Sequence, residues 1–445
     1  MTNKLFAKVF TFLLLILICF PSDSFAAKKK AKGLSSKSTQ VKQVKYKTKR
    51  IVRVRRVFTP VNGILFQTLK GDVLLEQNSQ QSFNPASVMK IATSFAALEQ
   101  LGYDYRFRTD IYTNGKIDQE GNLNGDLIIA GSGDPAMFSE NIFLMFDKLS
   151  SLGVKRVTGD LLVTTPFYLN FDYSAQRSAL QVKSISSAKR WTKYMQEAWT
   201  RYAQEENKPD AVFSGIEIDG QARAISFEEL PAEKQLLLTH QSRTLSDILK
   251  IQNDFSSNFM AEAIGRQLGG SQAIENFLLE KVGINSNEVQ VVSASGLGEN
   301  KITPAATLQL LRHFYESVKS NGKRLDNLLP LAGVDEGTLD ERFTDSELRG
   351  SVVAKTGTLP RQRVSALVGV AYTKEKGPVF FVLLDRDEVM HARHQQDKLV
   401  TDMIYQCGGP SPTRNVITGF ESRPKVIITQ SFPVIENLNK SRLSE

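Results

Sequence analysis

Apolar positions fall into three regimes along the chain. The first is an apolar run over residues 9–20, interrupted by Thr11, behind Lys4 and Lys8 and ahead of Ser24-Phe25-Ala26-Ala27. A short apolar run between a basic start and small residues predicts a secretory signal, cut after Ala26. An uncleaved membrane anchor is the alternative, but the run is short for a span. The second regime, residues 27–56, has no apolar period. The third starts near Val57, where short strand-like and helix-like patterns alternate with turn residues.

Within that ordered part, Ile64-Leu65-Phe66-Gln67-Thr68-Leu69 and Val73-Leu74-Leu75 flank Lys70-Gly71-Asp72, which predicts a hairpin. Asn84-Pro85-Ala86-Ser87 leads into a helical pattern over 88–101, closed by Gly102. Residues 126–130 and 160–163 are strand-like, each behind a glycine. Residues 189–206, 245–268 and 303–320 are helix-like, the second with a break at Asn253-Asp254-Phe255-Ser256. The apolar runs at 351–354, 364–372 and 379–384 predict three adjacent antiparallel strands. Strands at both ends with helices between predict an α+β fold, one antiparallel sheet assembled from both ends of the chain and flanked by helices. The expected organisation is a signal over 1–26, a basic tether over 27–56, and a discontinuous domain over 57–157 and 226–420. A small inserted domain would occupy 158–225 and a loosely held tail 421–445.

Composition changes this picture little. Hydrophobic residues make 41% and charged residues 23% of the 445, which excludes a collagen, a coiled coil or a wholly disordered chain. Charge changes it more. The net charge is +9, yet residues 28–56 hold thirteen Lys or Arg and no acid. Without that run and the single net positive charge of residues 1–27, residues 57–445 carry about −5. The basic character belongs to the tether, which is either a solvated spacer or an arm for an anionic wall or membrane surface. An exported chain gives no reason to expect nucleic acid. Cys19 would leave with the signal, and Ile18 before it argues against lipidation. Cys407 then stands alone, so no internal disulfide is expected.

Three short motifs carry chemistry. Ser87-x-x-Lys90 places a hydroxyl and an amine one turn apart at the positive end of a helix. The lysine activates the serine only when neutral, so it must be buried or near another cation. Ser186, Ser320 and Ser422 start the same spacing, but none has an apolar helix behind it. Ser256-Ser257-Asn258 lies at the predicted helix break, where Ser256 could pass a proton and Asn258 could bond an amide. Tyr168-Leu169-Asn170 is a rival for that part. Lys355-Thr356-Gly357-Thr358 offers a cation, two hydroxyls and a glycine that lets another backbone approach. A phosphate loop is excluded because Ala354 precedes Lys355. Each motif alone is weak, with a polar surface segment as the bland reading.

Their order, Ser-x-x-Lys then Ser-x-Asn then Lys-Thr-Gly, is that of penicillin-binding proteins and serine β-lactamases. The sequence resembles the penicillin-binding protein 4 group of D-alanyl-D-alanine carboxypeptidases and endopeptidases, peptidase family S13. Tyr105-Arg106-Phe107-Arg108-Thr109, Gly131-Ser132-Gly133-Asp134-Pro135, Tyr173-Ser174-Ala175-Gln176 with Ser178-Ala179-Leu180, and Ser295-Gly296-Leu297 extend the resemblance as architectural segments. It implies a β-lactamase/transpeptidase-like fold, cell-wall stem peptides and β-lactams as ligands, and a periplasmic or envelope location. It implies Ser87 as nucleophile, Lys90 as base and Ser256 as proton relay. Asn258, Lys355, Thr356, Gly357 and Thr358 would bind substrate, with no cofactor and no metal. His391 and His394 lack the glutamate that zinc helices use. Two departures stand out. The interval before Ser256 is short, and Thr164-Thr165 stand where relatives often carry acids for an amino group. A β-lactamase or esterase of the same fold, and a non-catalytic wall binder, are the competing functions.

Overall fold

The computed structural model describes residues 61–205, 207–413 and 431–433. The expected signal, the basic tether and most of the 421–445 tail lie outside them. No helix among the described residues is long and apolar enough to cross a membrane.

Five antiparallel strands form the main sheet, in the order Val352–Leu359, Val364–Thr373, Gly377–Arg386, Val61–Thr68, Val73–Gln77. Both ends of the ordered chain thus meet in one sheet. The two-residue period of a strand divides its side chains between two cores. Phe380, Val382 and Leu384 of Gly377–Arg386 enter the larger core, while Val379, Phe381 and Leu383 enter the other. Full burial of each stabilises the fold by about 1.5–3 kcal/mol. Hence this strand has no polar face, and its sequence shows a continuous apolar run instead of an alternation.

Helices Lys90–Leu101, Leu245–Asp254, Asn258–Gln267 and Pro304–Ser320 contribute to the larger core. Phe95 packs edge-on against Phe277 at 5.0 Å and tilts against Phe314 at 5.6 Å. Thr303 starts the last of these helices by accepting from the Ala306 N–H at 3.1 Å, with Pro304 in the first position. Helix Val389–Gln406 covers the other face through Val400, Met403 and Ile404. Cys407 is a buried free thiol in that core.

A second sheet has six strands, in the order Ala222–Ile225, Leu161–Thr164, Leu127–Gly131, Arg108–Thr113, Gln235–Gln241, Ser431–Pro433. Its own core runs from Ile111 to Leu238 in sequence. This sheet takes strands from within the expected 158–225 insert and from both sides of it. Leu127–Gly131 and Leu161–Thr164 are parallel neighbours joined through helix Ser139–Ser151. This strand, crossover helix and parallel strand bury one shared core that continues across residue 158. The strand Ser431–Pro433 also pairs with Gln235–Gln241, so part of the expected loose tail belongs to this sheet.

Candidate active site

The serine turn is built by its own neighbours. The Asn84 side-chain oxygen accepts from the Ala86 N–H at 2.9 Å. Ala86 adopts φ +47°, a left-handed conformation that costs a non-glycine residue about 1–2 kcal/mol. The chain then passes through a 3₁₀ turn, Ala86–Met89, before helix Lys90–Leu101 begins. Residues three apart eclipse in a 3₁₀ turn. Lys90 consequently stands over Ser87, with Nζ 2.8 Å from Oγ. The same Nζ lies 2.7 Å from Asn258 Oδ1 and 2.7 Å from the Ser295 carbonyl. Burial holds the Lys90 pKa well below the usual lysine value. The nearby Lys355 charge adds to that shift, and Glu262 opposes it. A neutral amine has two N–H donors and one lone pair. Asn258 and Ser295 fit the two donors, which leaves the lone pair for the Ser87 proton.

Asn258 reaches this point because a helix is interrupted. Helix Leu245–Asp254 ends, Ser256 turns through φ +53°, and Ser257 caps the next helix by accepting from the Met260 N–H at 3.3 Å. Ser256 Oγ is thereby 2.9 Å from Lys355 Nζ, which also donates to the Thr356 carbonyl at 2.9 Å. Burial lowers Lys355 to about 7, against an opposing pull from Asp254.

Two glycines let the three segments meet. A Cβ on Gly357 would stand 2.4 Å from the Pro85 carbonyl oxygen, and one on Gly296 would stand 1.8 Å from the Ala86 carbonyl oxygen. The serine turn is held between these two backbones. Val352–Leu359 is also the edge of its sheet. Residues 330–332 cover the first part of that edge through Ala332 N–H to Val352 O and Ala354 N–H to Pro330 O. Among the described residues no backbone pairs with the outer edge from Lys355 onward. An open edge beside a nucleophile suits an extended peptide.

Residues 55–176 and 187–403 match the model of the D-Ala-D-Ala carboxypeptidase 3 (S13) family. The chain belongs to this family. It is a serine-type D-Ala-D-Ala carboxypeptidase, a hydrolase. It is 23% identical over 380 residues to the D-alanyl-D-alanine carboxypeptidase DacB of Haemophilus influenzae, covering 65% of this chain and 78% of that one. A D-alanyl-D-alanine carboxypeptidase of Actinomadura sp. is 25% identical over 405 residues, 69% of this chain and 74% of that one. Among solved structures, the penicillin G acylated predatory endopeptidase Bd3459 from Bdellovibrio bacteriovorus, in complex with immunity protein Bd3460, superposes with TM-score 0.69 at 22% identity. It covers 80% of this chain and 95% of that one. Penicillin-binding protein 4 from Haemophilus influenzae gives 0.58 at 21%, covering 78% and 96%. These structures share the α+β transpeptidase-like fold.

The S13 groove thus gathers Ser87, Lys90, Ser256, Asn258 and Lys355 through direct contacts, with Thr356, Gly357 and Thr358 on the adjoining strand. The rival Tyr168 and Asn170 stay outside those contacts. Asn170 donates to Ser139 Oγ at 3.0 Å and to Gln181 at 3.0 Å, and Tyr168 packs edge-on against Tyr173 and Phe259. Ser186 bonds the Lys183 carbonyl while Lys189 pairs with Glu217 at the surface, and Ser320 bonds the Ser317 carbonyl at a helix end. Ser422 lies outside the described residues. His391 pairs with Asp387, and both His391 and His394 are exposed. Thr164 is buried and accepts from the Gly131 N–H at 3.1 Å, so it holds two strands together at that position.

Sequence reasoning missed three participants. The Ser295 carbonyl is a direct partner of Lys90. Glu262 fixes Ser295 by accepting from its N–H at 2.8 Å. Arg393, from helix Val389–Gln406, donates to the Thr358 hydroxyl at 3.1 Å. Only Ser295-Gly296-Leu297 had drawn notice, as an architectural segment.

Proposed function

We propose that this chain cuts D-Ala-linked peptidoglycan stem peptides through an acyl-Ser87 intermediate, and that it acts both on free D-Ala-D-Ala ends and on crosslinks. Ser87 Oγ attacks the carbonyl carbon of the penultimate D-Ala while the neutral Lys90 amine takes its proton. The observation that carries this reading is the Lys90 environment: Nζ lies against Ser87, Asn258 and Ser295, with burial suppressing its charge. The negative charge on the tetrahedral oxygen would be met by the Ser87 and Thr358 N–H groups. Losing one such donor typically costs about 3–4 kcal/mol. Ser256, bonded to Lys355, supplies the path by which a proton reaches the departing amine. The C–N bond breaks, the D-Ala amine leaves, and the acyl group stays on Ser87. Water then attacks the ester with Lys90 again as base, which regenerates Ser87. Asn258 orients the peptide, and Lys355, Thr356 and Thr358 line the place of its carboxylate.

Endopeptidase action draws support from the open strand edge past Lys355, which suits an extended chain on both sides of the scissile bond, and from the endopeptidases among the structural neighbours. Such a substrate requires export to the cell envelope, in line with the expected signal. The basic 28–56 run would then lie against an anionic wall or membrane surface.

Intact mass after incubation with benzylpenicillin tests the reading. The expected result is one added penicillin, lost in Ser87→Ala. Penicillin consumed without an adduct would make the chain a β-lactamase. Neither adduct nor consumption would leave a wall-binding protein.

A further inference from the structure

Asn258 and Glu262 lie four residues apart on helix Asn258–Gln267 and so share a face. Asn258 Oδ1 is a direct neighbour of Lys90 Nζ at 2.7 Å. Glu262 Oε1 accepts from the Ser295 N–H at 2.8 Å, and the Ser295 carbonyl is 2.7 Å from the same Nζ. A single residue's backbone therefore separates this carboxylate from the amine. The separation is fixed from both sides. On one side, a Cβ on Gly265 would stand 2.4 Å from Ala294 Cβ, so helix Asn258–Gln267 packs close against that segment. On the other, Thr93 of the serine helix donates to the Ala294 carbonyl at 2.6 Å.

Two charges act on Lys90. Lys355, on strand Val352–Leu359, disfavours a proton there and Glu262 favours one, while no carboxylate among the described residues bonds Nζ. Asp254, from the helix before the break, acts on Lys355. Glu262 is half-buried. Tyr173 lies beside it and beside the exposed Arg266, whose guanidinium is 4.0 Å from the Tyr173 ring centre. A carboxylate in contact with Lys90 would keep the resting amine charged and unable to act as a base. With no carboxylate at all, the ammonium formed in the reaction would be a buried cation without a counter-charge. A carboxylate one backbone step away suits both states.

We propose that Glu262 is a positioning residue for acylation: held one residue's backbone away, its carboxylate stabilises the Lys90 ammonium that forms as Ser87 loses its proton. This rests on the acyl-Ser87 reading above. The proton passes from Ser87 Oγ to Lys90 Nζ while the new C–O bond forms, and no bond is made or broken at Glu262. The ammonium has three N–H donors, of which Asn258 and Ser295 take two and the Ser87 oxygen the third. Glu262 acts through Lys90 and touches no substrate.

The test is the pH dependence of acylation by benzylpenicillin at low ionic strength, in wild type, Glu262→Gln and Glu262→Asp. Glu262→Gln keeps an oxygen for the Ser295 N–H and removes the charge. Without that charge the ammonium is less stable, so Lys90 gives up its proton at lower pH. The acid limb of the profile should move about one pH unit lower, and the plateau should fall roughly 3- to 10-fold because a weaker base remains. The Lys90 Cε resonance of ¹³C-lysine-labelled protein should titrate lower by the same amount. Glu262→Asp should keep the limb near its wild-type position. A limb and a resonance left in place by Glu262→Gln would overturn the proposal, since holding Ser295 would then be the whole role. Should Glu262→Gln fail to fold, Arg266→Gln decides, at an exposed position. Losing the cation beside Glu262 should move the limb upward, and an unmoved limb would overturn the proposal. A wild type that forms no Ser87 adduct would instead overturn the acyl-serine reading itself.

Discussion

Two buried lysine sites lie on either side of the helix break at Phe255–Ser257, and they have opposite fates. Lys250 is buried one turn before the break. It pairs with Asp254 at 2.7 Å and Asp335 at 2.6 Å and donates to the Leu329 carbonyl at 2.9 Å. Burial pulls its pKa down, but the two carboxylates outweigh burial and hold it above the usual value. Lys90 and Lys355 are equally buried and have only uncharged hydrogen-bond partners. Both are pushed below the usual value. Compensation makes a structural ion cluster; its omission makes a base available near neutral pH. The same residue type under the same burial thus supports the fold in one place and chemistry in the other.

The comparison breaks most sharply by substitution. Lys90→Met should slow acylation by benzylpenicillin about 10²- to 10⁴-fold, the range for a positioned base. It should change the urea midpoint little, because the amine removed is neutral and belongs to no ion pair. Lys250→Met should do the reverse where stability is concerned. Asp254 and Asp335 lose their ion pair with it, and about 3–5 kcal/mol should disappear from the unfolding free energy. Equal destabilisation by both variants would erase the distinction.

A smaller effect sharpens the role of the backbone that feeds Lys90. Gly296→Ala puts a Cβ against the Ala86 carbonyl at a residue with φ +85°. It should cost about 1–3 kcal/mol of stability by overpacking and slow acylation as Ser87 shifts. Normal acylation in this variant would mean that the Ser295 segment does not set the position of the serine turn.

The same contrast predicts a pH trend. Lys355 titrates at about 7 when folded and at 10.5 as an unperturbed lysine. Between those values the unfolded chain holds the extra proton, so stability should rise with pH across that window. Urea midpoints at pH 6, 8 and 9.5 should show a rise in wild type that Lys355→Met reduces, the remainder coming from Lys90, whose pKa is also lowered.

What the sequence discloses about this site follows the range of each interaction. Ser87 and Lys90 are three residues apart, and local helical geometry alone brings them together. The Ser256-x-Asn258 break is legible because polar residues interrupt an apolar period. Partners of Lys90 that depend on where a distant backbone passes leave no residue-type signal, and the Ser295 carbonyl is one. Glu262 acts on a main-chain N–H and Arg393 on a hydroxyl 35 residues back, so neither forms a motif. The main sheet is legible from three apolar runs near the end and one hairpin at the start. The second sheet is not, because its core draws on Ile111 and on Leu238, whose runs resemble those of the main sheet.

The most direct test is the titration of individual lysines. Protein labelled with ¹³C-lysine gives side-chain Cε resonances that Lys90→Met, Lys355→Met and Lys250→Met assign by loss. Lys90 and Lys355 should titrate well below 10.5, with Lys355 near 7, while Lys250 should remain charged beyond 10.5. A Lys90 that stays protonated up to 10.5 would contradict its role as the base for Ser87.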